Sequence, residues 1–134
     1  MNLLYAKAKE QFLNGSLSWA GSPFKCVLVG TNAYSPAVNA DQYLSDIPLA
    51  AQVAISGTLT GKTATSGALD ADDILIPAVP AQPAHAIVIF QDTGTLITSR
   101  LVAFLDRGIG LPVTGQGGNV QITWSDSASR IVAI

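Results

Sequence analysis

Two runs of apolar residues in the second half of the chain dominate its hydrophobic pattern. Residues 86–90 (AIVIF) and 101–105 (LVAFL) are apolar at every position, and a strand of that kind is stable only when both of its faces are covered. The polar segment between them contains Asp92-Thr93-Gly94, which is typical of a turn. The pattern therefore predicts an antiparallel hairpin at the centre of a sheet.

The N-terminal residues 3–14 (LLYAKAKEQFLN) carry the one clear helical pattern. Apolar residues recur there at a spacing of four, as expected for an amphipathic helix. Asn2 is suited to cap the start of the helix, and Asn14-Gly15 to end it. We expect the stripe of Leu4, Ala8 and Phe12 to pack on a sheet of the same subunit, with a neighbouring subunit or a shell as the alternative.

Short apolar or alternating runs, punctuated by glycine and proline, predict further strands. They lie at residues 25–30, 52–65, 74–76, 111–114, 119–124 and 130–134. Residues 31–48 are irregular, with one helical turn predicted at 41–44, and a connection of that length usually has a function. The proline-rich residues 77–83 predict an extended edge segment or linker.

These elements predict a mainly β, single-domain fold over residues 1–134, with a helix at 1–15 and a β-rich core at 25–134. The expected architecture is an antiparallel β-sandwich or a barrel-like fold with one N-terminal amphipathic helix packed outside.

Composition and charge indicate what such a domain would contact. The 134-residue chain has 49% hydrophobic but only 12% charged residues, where about a quarter is usual. Part of the surface must therefore be neutral, which suits contact with other proteins. A formal net charge of −2 with scattered basic residues argues against nucleic acid. The apolar runs are too short to span a membrane, and the N-terminus has no pattern of a signal peptide.

Asp92-Thr93-Gly94 after an apolar strand resembles the catalytic motif of aspartic proteases, in which two carboxylates share one proton. A homodimer would have to supply both carboxylates. Gln91 stands where that family has an apolar residue, and Thr95 where it has Ala or Ser. A hairpin turn explains the three residues without chemistry.

Other candidate chemistry is equally incomplete. The carboxylates of Asp70, Asp72 and Asp73 lack the glutamate that usually closes a calcium site, so a solvated turn is expected. His85 is the sole histidine, so a histidine-based zinc site would lack further ligands. A Ser-His-Asp triad could use His85 with one of many serines, but the sequence has no G-x-S-x-G turn to expose that serine. The single cysteine, Cys26, lies in an apolar run and is expected in the core. We therefore predict a protein that is not an enzyme and binds no cofactor or metal.

The tryptophans and tyrosines leave one alternative function open, in which their rings form a platform for sugar stacking. It would need exposed rings on one face of the domain. The candidates are Trp19, Trp124, Tyr5, Tyr34 and Tyr43, although core and subunit contacts are the commoner use of such residues.

Taken end to end, the chain resembles a family of small structural proteins of tailed-bacteriophage virions. The resemblance covers nearly the whole layout and includes LYAKAKEQFLNGSLSW, CVLVGTNAYSPAVNADQYLSDIP, VAISGTLTGKTATSGALDADD, AIVIFQDTGTLITSRLVAFLD and GLPVTGQGGNVQITW. It implies a virion component that is made in the bacterial cytoplasm and assembled onto the particle. No catalytic residues are implied.

Within that class we expect a capsid decoration or cement protein that binds the major capsid protein or other virion proteins as a homo-oligomer, with a trimer favoured. A tail, neck or baseplate component is the alternative, and a carbohydrate-binding adhesion module is the alternative from another class. The residues predicted to make protein contacts are Leu4, Ala8, Phe12, Tyr34, Pro36, Tyr43, Pro77, Pro80 and Pro83.

Overall fold

The computed structural model describes residues 3–30, 34–106, 113–124 and 132–133, and these form a mainly β structure. One helix, α1, runs from Ala6 to Leu13, and short 3-10 turns form at Leu44–Asp46 and Leu49–Ala51. The strands are β1 (Leu3–Leu4), β2 (Phe24–Val29), β3 (Gln52–Ile55), β4 (Thr63–Thr65), β5 (Ala68–Asp70), β6 (Ile74–Ile76), β7 (Pro83–Ala84), β8 (Ala86–Gln91), β9 (Leu101–Leu105), β10 (Val113–Thr114), β11 (Val120–Ile122) and β12 (Val132–Ala133).

Five strands form the main sheet, in the antiparallel order β1-β9-β8-β2-β3. Its edges, β1 and β3, do not pair with each other, so the sheet is open. Smaller sheets are made by β10 with β7, by β11 with β6, and by β12, β5 and β4. The predicted mainly β fold with an N-terminal helix is confirmed. Of the two predicted arrangements, a sandwich-like one fits this topology, since the main sheet does not close into a barrel.

The predicted central hairpin is confirmed. Strand β8 lies between β9 and β2, with Ile87 opposite Leu105 and Ile89 opposite Ala103. Residues 86–90 and all of β9 are buried, as a run that is apolar at every position requires. A local turn does form at residues 92–94, as predicted, and it belongs to a nine-residue connection, residues 92–100, which we call the hairpin loop.

The helix is shorter than its sequence pattern suggests. Leu3 and Leu4 pair with Phe104 and Ala103 of β9, and α1 begins only after Tyr5, which occupies the N-cap position without a side-chain hydrogen bond. Asn2, the predicted cap, lies outside the described residues. The predicted C-terminus is confirmed, because Asn14 is the C-cap and the next glycine has a φ of +84°. The helix packs on β9 of its own chain, as expected.

The other predicted strands are found over narrower limits. The alternating segment 52–65 splits into β3 and β4, and the predicted helical turn at 41–44 forms slightly later, at Leu44–Asp46. Of the predicted strands 111–114 and 130–134, only residues 113–114 and 132–133 are described. One cluster of buried apolar side chains joins the helix, the main sheet and residues of the smaller sheets.

Candidate protein-contact groove

A groove of about 270 Å³ opens beside the hairpin loop. Phe90, at the end of β8, and Leu44, in the first 3-10 turn, are its buried apolar residues. Ile55, the last residue of β3, and Leu96, in the hairpin loop, also line it and are 43% and 36% exposed. We call this cavity the loop groove. It is a depression with apolar and polar walls, which come from four separate parts of the chain.

Hydrogen bonds within the hairpin loop fix its shape. The carbonyl of Thr95 accepts bonds from the backbone N–H of Thr98 (3.2 Å) and Ser99 (3.0 Å), and also from the Ser99 hydroxyl (2.9 Å). The Ser99 Oγ in turn accepts the N–H of Thr93 (3.1 Å). Ser99 is only 1% exposed, so this small hydroxyl links both halves of the loop from the inside.

The start and the middle of the loop are also fixed. Asp92 Oδ1 accepts the N–H of Gly94 (3.0 Å), the local turn that an aspartate favours, and Gly94 has a φ of +83°, which a residue without Cβ adopts easily. The N–H of Ser45 donates to the carbonyl of Leu96 (3.1 Å). The loop is therefore attached to the neighbouring 3-10 turn and presents its apolar residues in a fixed position.

The charges that line the groove neutralise each other. Lys25 Nζ lies 3.2 Å from Asp92 Oδ2, and both side chains are between a quarter and a third exposed. They are the two charged residues among those that line the groove. An uncharged occupant would therefore leave no unpaired charge behind.

Ile97, the residue after Leu96 in the hairpin loop, does not line the groove. Its side chain is 67% exposed, and an isolated exposed apolar residue is ordinary. Two exposed apolar side chains, those of Ile55 and Leu96, do line the groove.

None of the nine contact residues predicted from sequence lines this groove. Leu4, Ala8 and Tyr34 are 5%, 1% and 7% exposed and belong to the chain's own core, so for them the prediction of an intermolecular contact is wrong. The physical reason is the docking of the helix on β9. Tyr34 is held in the core by hydrogen bonds of its hydroxyl with the hydroxyl of Tyr5 (2.8 Å) and with the carboxylate of Asp41 (2.7 Å).

The other six predicted residues are partly or fully exposed. Phe12 is half-buried against the core, and the ring of Tyr43 lies 5.3 Å from the guanidinium carbon of Arg100. The prolines range from half-buried to exposed. For these residues contact with another protein stays a prediction; they are Phe12, Pro36, Tyr43, Pro77, Pro80 and Pro83.

The acidic turn at residues 70–73 has structural roles. Asp73 Oδ1 accepts the backbone N–H of Trp124 (2.9 Å), while the carbonyl of Asp72 accepts the indole N–H of the same residue (3.0 Å). The carbonyl of Asp70 does the same for Trp19 (3.0 Å). Within the described ranges, no group of three or more histidine, cysteine or acidic side chains is placed to hold a metal ion.

The aromatic residues do not form a sugar-stacking platform. Trp19 and Trp124 are each 4% exposed and Tyr5 is fully buried, because these rings fill the core and use their polar atoms internally. Cys26 is likewise inaccessible, as expected, and burial raises the pKa of its thiol to about 12. At neutral pH this thiol is protonated and is a poor nucleophile.

The chain matches no protein-family model and no curated protein. Among the residues that the structure describes, no helix is long and apolar enough to cross a membrane.

Proposed function

We propose that this chain is a non-enzymatic structural protein of tailed-bacteriophage virions, and specifically a capsid decoration or cement protein. It is made in the host cytoplasm, joins the virion and stabilises the head through contacts with the major capsid protein or other virion proteins. The resemblance of the whole layout suggests the class. The observation that carries the contact role is the set of exposed apolar side chains on a chain with few charges.

Those side chains are distributed over several elements. In addition to the residues that line the loop groove, they include Leu13 at the end of the helix (83% exposed), Leu49 (70%) and Leu75 in β6 (49%). Neutral contacts that recur many times over a shell need little charge, since association is favoured by apolar area and by close packing. The 12% charged composition fits that use.

A tail, neck or baseplate component is the second candidate, because it would use the same kind of neutral contact surface. The carbohydrate-binding alternative loses its support, since the two tryptophans are buried. A protease would have to use Asp92, whose carboxylate already pairs with Lys25 and accepts the N–H of Gly94.

Purified virions of the phage that encodes the chain provide the direct test. Antibodies raised against the purified chain would be used for immunogold electron microscopy and to quantify the chain in particles banded by density. The decoration proposal expects regular label on the heads and many copies per particle. Label confined to tails would identify the second candidate, and particles without the chain would contradict both.

Binding to heads also has a surface test. Heads stripped of the chain would be mixed with purified wild type or with single lysine variants at Leu13, Leu49 and Leu75, then pelleted. We expect at least one of the three to lose co-sedimentation. Thr63→Lys, at an exposed position of β4 that is already polar, is the matched control and should bind like the wild type.

A further inference from the structure

The end of α1 is the one place in the sequence where an asparagine is followed directly by a glycine, Asn14-Gly15. We propose that Asn14 is a site of spontaneous modification. The chain loses ammonia there, closes a succinimide ring with the backbone nitrogen of Gly15, and opens the ring with water to isoaspartate or aspartate. The inference goes beyond the proposed function and does not depend on it.

The reaction balances with water as its only co-reactant. The nitrogen of Gly15 forms a bond to Cγ of Asn14, the bond from Cγ to Nδ2 breaks, and the proton of the Gly15 N–H leaves with the ammonia. Water then cleaves one of the two bonds between that nitrogen and a ring carbonyl. Cleavage at Cγ gives aspartate, whereas cleavage at the backbone carbonyl gives isoaspartate, in which the main chain runs through the side-chain carbon.

The attacking nitrogen is accessible. Asn14 and Gly15 are both exposed, and a Cβ added at Gly15 would have no atom within 4 Å. Glycine also has no side chain that would shield its own nitrogen. The N–H of Gly15 donates to the carbonyl of Phe12 at 3.3 Å, which is longer than the roughly 2.7–3.2 Å that is usual. The nitrogen is therefore open to solvent and weakly held.

The carbonyl that is attacked is already polarised. Oδ1 of Asn14 accepts the backbone N–H of Ser16 at 3.0 Å, an N–H that the carbonyl of Gln11 shares at 2.9 Å. Negative charge develops on Oδ1 as the new bond forms at Cγ, and a backbone donor already directed at that oxygen stabilises the charge, as in an oxyanion hole. The two reacting groups also belong to adjacent residues, which favours ring closure over attack by solvent.

Ring closure requires only the last turn of the helix to open. The ψ of Asn14, which is 2°, must rotate, and this breaks the bond from its N–H to the carbonyl of Glu10 (3.0 Å). Helix ends open locally at little cost in free energy. The preceding residue, Leu13, is 83% exposed, so that little packing is lost with the turn.

The product would weaken the end of α1. A neutral C-cap becomes a carboxylate, and negative charge is unfavourable beside the free carbonyls of a helix C-terminus. The last turn contains no basic residue that would offset this charge. Each modified copy is also one unit more negative than the formal net charge of −2, which makes it separable by anion exchange.

Incubation of the purified chain at neutral and at mildly alkaline pH tests the site. Anion exchange would follow the acidic form, and peptide mapping by mass spectrometry would locate it. We expect faster conversion at alkaline pH, because the attacking N–H must lose its proton. Asn14 should convert at least about tenfold faster than Asn39 and Asn119, which are also exposed but precede residues that have a Cβ.

Two variants and one comparison isolate the mechanism. Asn14→Gln, whose ring would be one atom larger, should form almost no acidic product, and Gly15→Ala should slow the conversion. Circular dichroism would verify that both variants are folded. The folded wild type should convert within about tenfold of the rate in denaturant, since only one turn has to open.

Three results would overturn the proposal. The first is an Asn14 that converts in denaturant but stays intact in the folded chain, because the fold would then protect it. The second is equally fast conversion at Asn39 and Asn119. The third is an Asn14→Gln variant that accumulates the acidic form at the rate of the wild type, which would place the modification elsewhere.

Discussion

The central hairpin consists of two regions that are stabilised in opposite ways. Strands β8 and β9 are apolar and buried from Ala86 to Phe90 and from Leu101 to Leu105. The hairpin loop between them is exposed at six consecutive residues, 93–98, and is shaped by hydrogen bonds to Thr95 and Ser99. The strands are fixed by what surrounds them, whereas the loop is fixed mainly by its own polar atoms.

This difference separates stability from contact. Changes in the strands should affect the whole fold, because burial of apolar area is the main favourable contribution to folding. Changes on the outside of the loop should leave the fold intact and alter only what the loop touches. Four measurements of stability test that separation, ordered from the largest expected effect to the smallest.

Ile87→Ala should destabilise the fold by about 3 kcal/mol, as is usual when a buried aliphatic side chain is truncated and leaves a cavity. Ile87 is fully buried in β8. Chemical denaturation would measure the free energy of unfolding, with Ile97→Ala in the loop as the control, expected to change it by less than about 0.5 kcal/mol. Equal losses of stability in Ile87→Ala and Ile97→Ala would show that the strands and the loop do not differ in this way.

Alkaline pH should weaken the core of the main sheet through Cys26 of β2. Its pKa is raised to about 12 by burial, against about 8.5 in an unfolded chain. The neutral thiol is favoured in the folded state, so the stabilisation is complete below pH 8.5 and is lost as pH rises towards 12. Linkage predicts a loss of about 2 kcal/mol by pH 10 from this residue alone.

Denaturant titrations in the presence of a reductant at pH 7 and pH 10 would measure this loss in the wild type and in Cys26→Ala. The variant should be less stable at pH 7, but should lose about 2 kcal/mol less between the two values. The same pH dependence in both proteins would show that the thiol is not responsible.

Ser99→Ala should cost about 1–2 kcal/mol, because it leaves the N–H of Thr93 without its acceptor in a partly buried place. Chemical denaturation would measure the change in the free energy of unfolding. Thr98→Ala removes an exposed hydroxyl of the same loop and is expected to cost less than about 0.5 kcal/mol. A larger loss from Thr98 than from Ser99 would show that the inner hydroxyl does not organise the loop.

Lys25→Met should have the smallest effect, about 0.5 kcal/mol, since the pair with Asp92 is partly exposed and such pairs contribute little. The difference between variant and wild type should shrink at high salt, where the attraction in the wild type is screened. A cost of several kcal/mol that salt does not change would mean that the pair belongs to the core.

The buried strands were the predictable part of the fold. A run that is apolar at every position has few stable environments, so residues 86–90 and 101–105 could be assigned to a covered hairpin from sequence alone. The end of α1 at Asn14 and Gly15 was equally local. The start was not, because Leu3 and Leu4 fit the helical stripe but gain hydrogen bonds by pairing with the edge of β9, a partner about one hundred residues away.

The candidate site could not be predicted, for a related reason. Its walls, Leu44, Ile55 and Leu96, are far apart in sequence and meet only in the folded chain. One local signal was present, namely the adjacent apolar residues Leu96 and Ile97 within an otherwise polar segment. Leu4 and Ala8, chosen as contact residues from the helical stripe, failed because a stripe shows only that a helix docks, and α1 docks on its own sheet.

Hydrogen–deuterium exchange of the wild type and of Ser99→Ala is the most direct test of the central claim that the loop is held by its own polar atoms, whereas the strands are held by the side chains that bury them. The account predicts that loop amides such as that of Thr93, which donates to the Ser99 hydroxyl, exchange faster in the variant. The amides of β8 and β9 should lose no more protection than the change in global stability explains. Loop amides that exchange equally fast in both proteins would contradict it.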